Sequence, residues 1–188
     1  MQFVAVNETQ KQIYAFQEQA YDIIMSAPHN IIFLDIDGVL NTNFCKDATP
    51  QGYTGIMNSR VKILSQIALE NHAGIILSTS WKSAWTRSCP KNGQADSDNL
   101  YMMEKLSGQG ICAADKTDDS GFDRGRGIRK WLESHPQKQF IVLDDEIFSD
   151  YKEEKILPHL ILTSPSVNGG LKPKHVKTAK RLFDRKEI

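Results

Sequence analysis

The feature that most restricts the fold is a set of short, continuously apolar runs separated by stretches of helical periodicity. IIFL at 31–34, GIIL at 74–77 and FIVL at 140–143 carry no polar alternation, so each strand is expected to be buried on both faces. Between them apolar residues recur at intervals of three and four. Residues 9–26 place Ile13, Phe16, Ala20, Ile23 and Ile24 on one stripe before Pro28. Residues 58–71 do the same with Val61, Leu64, Ile67 and Ala68, and Asn58 or Ser59 serves as N-cap. Residues 97–106 read as a helix and GQGICAAD as a minor strand. GIRKWLESHP reads as a helix with Ile128, Trp131 and Leu132 on one face ahead of Pro136; HLILT at 159–163 is a strand and PKHVKTAKRLF the last helix. Helices alternating with buried strands predict an α/β fold, a Rossmann-like parallel sheet with helices on both faces. The expected organisation is one domain over 30–188 behind an N-terminal helical extension at 1–29. A loop-rich insertion is expected over about 83–125, Ser/Asp/Gly-rich at 115–125.

In such a sheet the ligand sits beyond the carboxyl ends of the strands. Three strands finish there in reactive side chains: Asp35 and Asp37, then Ser78, Thr79 and Ser80, then Asp144 and Asp145. Two carboxylates about 4 Å apart repel by roughly 4 kcal/mol at an effective dielectric of 20, so four on one edge demand a cation. Mg²⁺ is the expected one, because it takes hard oxygen ligands and bridges to substrate phosphate. Asp35, Asp37, Asp144 and Asp145 are its candidate ligands.

Composition narrows the chemistry. Lys plus Arg and Asp plus Glu balance at 23 each, so no global field recruits nucleic acid or an anionic membrane, and any polyanion site must be local. The N-terminus shows no basic segment followed by a long apolar run, and no stretch approaches the ~18 apolar residues needed to span a bilayer. A soluble, cytoplasmic protein is expected. Cys45, Cys89 and Cys112 are odd in number and lack CxxC spacing, which fits a reducing compartment rather than a disulfide framework. Nor does any of them serve a cysteine phosphatase, since Gln51, Ala95 and Asp118 stand where that chemistry needs an arginine. No GxxxxGK[ST] occurs, and His29, His72, His135, His159 and His175 lack ligand spacing.

DIDGVLN, a strand ending in ILSTSWK, a basic residue heading a helix and a strand ending in VLDDE resemble, in that order, the haloacid dehalogenase-like superfamily of phosphotransferases. With RGIRKWL and the later GL, the set is similar to the small haloacid dehalogenase-like domains associated with RNA-repair proteins. The resemblance implies that Asp35 is the nucleophile forming an aspartyl-phosphate, and that Asp37 is the general acid and then the base. Gly38 lets the chain turn close to the site. The hydroxyl motif is filled by Thr79 on alignment with TSWK, or by Ser78 on counting from the strand end. For the cationic motif Arg126, at the start of its helix, is favoured over Arg129 and Lys130, with Arg124 as second choice. Asp145 is favoured over Asp144 for the metal.

A phosphomonoesterase is the function these residues imply. About 40 residues separate the first two motifs and contain an ordinary helix, which leaves a minimal cap or none. An open site admits a macromolecule, and neutral charge favours a phosphoprotein, with phosphotyrosine as a candidate, over a nucleic-acid end. Trp81 and Lys82, with Trp85 and Arg87, interleave rings and cations that could stack a phosphotyrosine or a base. The alternatives are a nucleic-acid end phosphatase of repair type, a non-catalytic phosphate-binding module, and a transferase passing the phosphoryl group to an acceptor other than water.

Overall fold

In a computed structural model the described residues are 1–118, 123–135 and 137–185. Pro136 and residues 119–122 of the Ser/Asp/Gly-rich part lie outside them. The elements in order are β1 (Phe3–Ala5), α1 (Glu8–Ser26), β2 (His29–Leu34), α2 (Asn58–Glu70), β3 (Ala73–Leu77), β4 (Gln94–Asp96), α3 (Ser97–Ser107), β5 (Ala113–Lys116), α4 (Arg124–Ser134), β6 (Gln137–Asp144), β7 (Leu160–Leu162) and α5 (Pro173–Phe183).

Five strands form a parallel sheet in the order β5-β3-β2-β6-β7. Successive side chains of its three inner strands enter opposite cores, as strand geometry requires. Ile32, Leu34, Ile75, Leu77, Ile141 and Leu143 face one core, closed by α2, α3, α5 and the first half of α1. Ile31, Phe33, Ile76, Phe140 and Val142 face the other, closed by Ile128, Trp131 and Leu132 of α4, by Tyr151 and Ile156, and by Ile24 from the end of α1. Ile31, Ile32, Phe33 and Leu34 are all fully buried, each worth about 1.5–3 kcal/mol of removal from water. The doubly covered α/β fold expected from the apolar runs is therefore the observed one, and β2 is its centre. Its neighbours β3 and β6 lie on opposite sides, so the end of β2 is the topological switch point where the sheet opens a crevice.

The region expected to be loop-rich holds more order than its sequence suggests. β4 pairs antiparallel with β1, joining Phe3 to Asp96 and Ala5 to Gln94. Two three-residue strands are too short for period-two alternation to reveal them. Asp96 ends β4 and caps α3, accepting from the backbone N–H of Asp98 and Asn99 at 3.1 Å each. No described helix is long and apolar enough to cross a membrane.

Candidate active site

Asp35 leaves β2 still held by the ladder, its N–H donating to Leu143 O at 2.9 Å. The chain then turns, with Val39 N and Leu40 N both donating to Ile36 O. Gly38 sits at φ +66°, and a Cβ there would lie inside the Asp145 carboxylate. The glycine thus permits both the turn and the approach of the β6 acids. Asn41 locks the turn: its Oδ1 accepts from Gly38 N at 2.9 Å, and its Nδ2 donates to Asp37 Oδ1 at 2.8 Å.

Arg124 is the cation at the centre. Its Nη1 lies 3.1 Å from Asp35 Oδ1 and 2.8 Å from Asp144 Oδ2, and its guanidinium stacks 4.2 Å from the Phe148 ring centroid. Burial pulls the guanidinium pKa down, but Asp35 and Asp144 outweigh it and hold it above the usual value. Asp144 is held firmly, since its Oδ2 also accepts from Tyr151 Oη at 2.7 Å and its Oδ1 accepts from Glu146 N at 3.1 Å, which leaves Oδ1 a lone pair for a further ligand. Burial drives the Tyr151 hydroxyl pKa upward, so it stays a donor. Asp150 caps α4 from outside the helix, its Oδ2 accepting from Arg126 N at 2.9 Å. The cap fixes the first turn, and so fixes Arg124.

Arg126, favoured from sequence, is a correction. Its side chain is 68% exposed and pairs with Asp123 at 3.4 Å, whereas the Arg124 side chain is 10% exposed. Residues two apart on a helix point about 200° apart, so the two cannot face the same site. Arg124 lies four residues before Ile128 and shares the buried stripe; Arg126 lies four before exposed Lys130. That spacing was the available signal.

One oxygen each of Asp35, Asp144 and Asp145 lies within 4.8 Å of the others. Asp37, expected from sequence beside them, is not in this group. By residue 37 the chain has left the strand, and its carboxylate is turned toward Asn41 and toward Trp81, whose Nε1 donates to Asp37 Oδ2 at 2.9 Å. Burial pushes the Asp35 carboxyl up to about 8; Arg124 opposes this, Asp144 adds to it and a Thr79 hydrogen bond relieves it. Burial and then Asp144 also raise Asp145. Three acids so placed, with one of them driven this far toward protonation, suit a hard divalent cation, and these three are the residues that would hold it.

Thr79 touches Asp35 and caps the short 3₁₀ turn that follows β3. Ser78 is buried beside it, its N–H donating to Leu34 O at 2.9 Å and its Oγ without a hydrogen-bond partner among the described residues. Arg124 Nε is likewise buried and, among the described residues, unpartnered. Trp81 reaches the site through Asp37. Lys82 is directed elsewhere, its Nζ donating to Thr117 Oγ1 at 2.8 Å. Trp85 is buried, with Nε1 donating to Gln17 Oε1, so it packs the fold and offers no platform for a ring. Asn41, Tyr151 and Asp150 were given no role from sequence. Only Asn41 lay inside a recognisable motif, and the other two act across loops whose course no local pattern fixes.

Asp35 thus stands at the switch point of a parallel sheet, with Arg124, Asp144 and Asp145 around it. Residues 31–176 match the family described as the HAD domain in Swiss Army Knife RNA repair proteins; the chain belongs to that family, and the membership supports a phosphatase-type hydrolase. No curated protein matches it.

Proposed function

We propose that the protein is a Mg²⁺-dependent phosphomonoesterase working through an aspartyl-phosphate on Asp35. The observation that carries this reading is the convergence on Asp35 of Arg124 at 3.1 Å, Thr79, and the acids Asp144 and Asp145, with Asp37 one step outside. Bound Mg²⁺ would neutralise the three acids and offset phosphate charge. Arg124 and the Ser78 and Thr79 hydroxyls supply donors for phosphoryl oxygens. Asp35 Oδ attacks phosphorus as the bond to the leaving oxygen breaks, and Asp37 delivers its proton to that oxygen. Asp37 then takes a proton from water, which attacks phosphorus, breaks the acyl-phosphate bond and releases inorganic phosphate. Trp81 and Asn41 hold the Asp37 carboxylate in place for both transfers.

The substrate we propose is a phosphorylated macromolecule, a phosphoprotein first. An RNA end is the second reading, favoured by the repair proteins for which the family is described. The test is turnover of an aryl phosphate with Mg²⁺ and with excess chelator, followed by acid quench and peptide mass spectrometry. Turnover should vanish with chelator and a phosphoryl adduct should map to Asp35. Turnover that persists in Asp35→Asn, or an adduct elsewhere, refutes the mechanism.

A further inference from the structure

Two sides of Asp35 differ. Toward Asp37 a cavity of about 650 Å³ opens, walled by the DxDG turn, the 42–57 loop, the turn bearing Trp81, and the junction of β4 with α3. Toward α4 the site is packed shut by Arg124 and by Tyr151, a fully buried side chain that follows Asp144 by seven residues. We infer that Tyr151 is a positioning residue that gives the two oxygens of Asp144 different tasks, Oδ2 for Arg124 and Oδ1 for a divalent cation, and that this one-oxygen seat selects Mg²⁺ over Ca²⁺. The inference rests on the metal site of the phosphomonoesterase reading and adds what chooses its ion.

A carboxylate offers about four acceptor positions, two on each oxygen. On Asp144 Oδ2 both are taken, by Arg124 Nη1 at 2.8 Å and by Tyr151 Oη at 2.7 Å. Oδ1 accepts only from Glu146 N at 3.1 Å among the described residues, so one position is open. Asp144 can therefore give a cation one oxygen and not two. Ca²⁺ gathers about six to eight oxygens and accepts carboxylates through both of theirs, whereas Mg²⁺ demands a small octahedral shell in which single carboxylate oxygens and several waters fit. Without the Tyr151 hydroxyl, Arg124 alone would hold Oδ2, and the carboxylate would be free to offer a cation both oxygens.

The packing around Tyr151 asks for no hydroxyl. The residue shares an apolar cluster with Phe33, Trp131, Val142 and Ile156, and its ring meets Phe148 at 5.5 Å between centroids. A phenylalanine would fill the same space, and the added oxygen finds one partner among the described residues, Asp144. The segment that carries it is fastened to α4 at two points, by Asp150 Oδ2 accepting from Arg126 N at 2.9 Å and by Arg129 Nη2 donating to Glu154 O at 2.6 Å. Tyr151 N donates to Phe148 O at 3.0 Å, and Tyr151 O accepts from Ile156 N at 2.8 Å. The hydroxyl is thus kept in register with Arg124, the other donor to the same oxygen.

The experiment is isothermal titration calorimetry of Mg²⁺ and of Ca²⁺ into metal-stripped wild type, Tyr151→Phe and Ile156→Val, with p-nitrophenyl phosphate turnover measured beside it. The wild type should bind Mg²⁺ the more tightly. Tyr151→Phe keeps the ring and loses the donor. Its Mg²⁺ Kd should rise about tenfold, as loss of an outer hydrogen bond to a metal ligand commonly causes, while its Ca²⁺ Kd should not rise with it. The preference between the ions should therefore shrink about tenfold. Ile156→Val loosens the same cluster without touching the hydroxyl and should leave the preference as in wild type. Equal weakening of both ions in Tyr151→Phe, a shift of the same size in Ile156→Val, or a wild type that prefers Ca²⁺ overturns the inference, and the last of these needs no variant to fold. A wild type that binds both ions as expected yet fails to turn over p-nitrophenyl phosphate would instead refute the phosphomonoesterase reading, so the two failures are distinct.

Discussion

Replacing Asp35 by Asn should stabilise the metal-free protein while abolishing its chemistry. In the folded chain, burial raises the Asp35 carboxyl from 3.8 to about 8, and this remains so after Arg124 has drawn it down. Between those values the folded protein keeps a proton that the unfolded chain gives up, so stability falls as pH rises through the window. Each tenfold change in proton affinity is worth about 1.4 kcal/mol, which puts the cost near 1–2 kcal/mol at pH 5 and about 5 kcal/mol at pH 8 as an upper bound. Asn keeps the shape and neutrality of the protonated acid. For a domain of this size, at about 2–4 °C per kcal/mol, Asp35→Asn should raise Tm by at most roughly 10–20 °C at pH 8 and much less at pH 5. Differential scanning calorimetry in chelator across that range measures it. Adding Mg²⁺ at about a hundredfold its Kd should stabilise the wild type by roughly 2.7 kcal/mol and the variant far less. A variant that melts lower than wild type at pH 8, or whose advantage does not grow with pH, refutes the account of Asp35 as a carboxylate held at electrostatic cost for function.

Two further substitutions separate the site from its surroundings. Arg124→Met should cut kcat on an aryl phosphate by about 10²-fold or more and destabilise the fold, because Asp35 and Asp144 lose their shared counter-ion. Arg126→Met should change stability by no more than about 0.5 kcal/mol and leave kcat alone; equal losses in the two variants would show that the wrong arginine has been placed in the site. Gly38→Ala puts a methyl group into the Asp145 carboxylate at a left-handed position that itself costs about 1–2 kcal/mol. Its signature should be a raised Mg²⁺ requirement in an activity titration, and an unchanged requirement would mean that Asp145 does not touch the metal.

The strands were legible because a parallel sheet leaves an unambiguous mark: IIFL, GIIL and FIVL are buried on both faces and could not alternate. Asp35 was legible for the same reason, as a charged residue ending such a run. Arg124 was ranked second to Arg126 because helical position was read by distance from the N-terminus, while facing is set by the 3.6-residue period, which ties Arg124 to Ile128. The cavity was missed for a deeper reason. Its walls come from the 42–57 loop, from Met1 and from the junction of the short β4 with α3, which β1 braces, and none of these has a local signature. An open edge inferred from the absence of a cap domain thus became a walled pocket.

That wall makes the first residues of the chain part of the site, and this can be tested directly. β1 is joined to β4 by the Phe3–Asp96 register, by Ser97 N donating to Gln2 O at 2.8 Å and by Val6 N donating to Gly93 O at 2.9 Å. None of Gln2, Phe3, Val4, Ala5 or Val6 is among the buried residues of either core, though Val4 and Val6 pack against the larger one. Removing residues 2–6 should therefore leave the parallel sheet and Arg124 in place. At about 1 kcal/mol per hydrogen bond the loss is on the order of 2–4 kcal/mol, small enough for the sheet to survive. Freed of its partner strand, Asp96 no longer fixes the start of α3, and the positions of Asp98 and Asn99 loosen. The truncated chain should keep the kcat of the full chain on p-nitrophenyl phosphate, which is too small to reach that wall. On a phosphopeptide its KM should rise at constant kcat, because a contact made equally in ground and transition states has been lost. A truncation that lowers kcat on both substrates alike would mean that β1 supports the catalytic aspartates themselves, and the division between a rigid reaction centre on β2 and a specificity wall on β4 would fall.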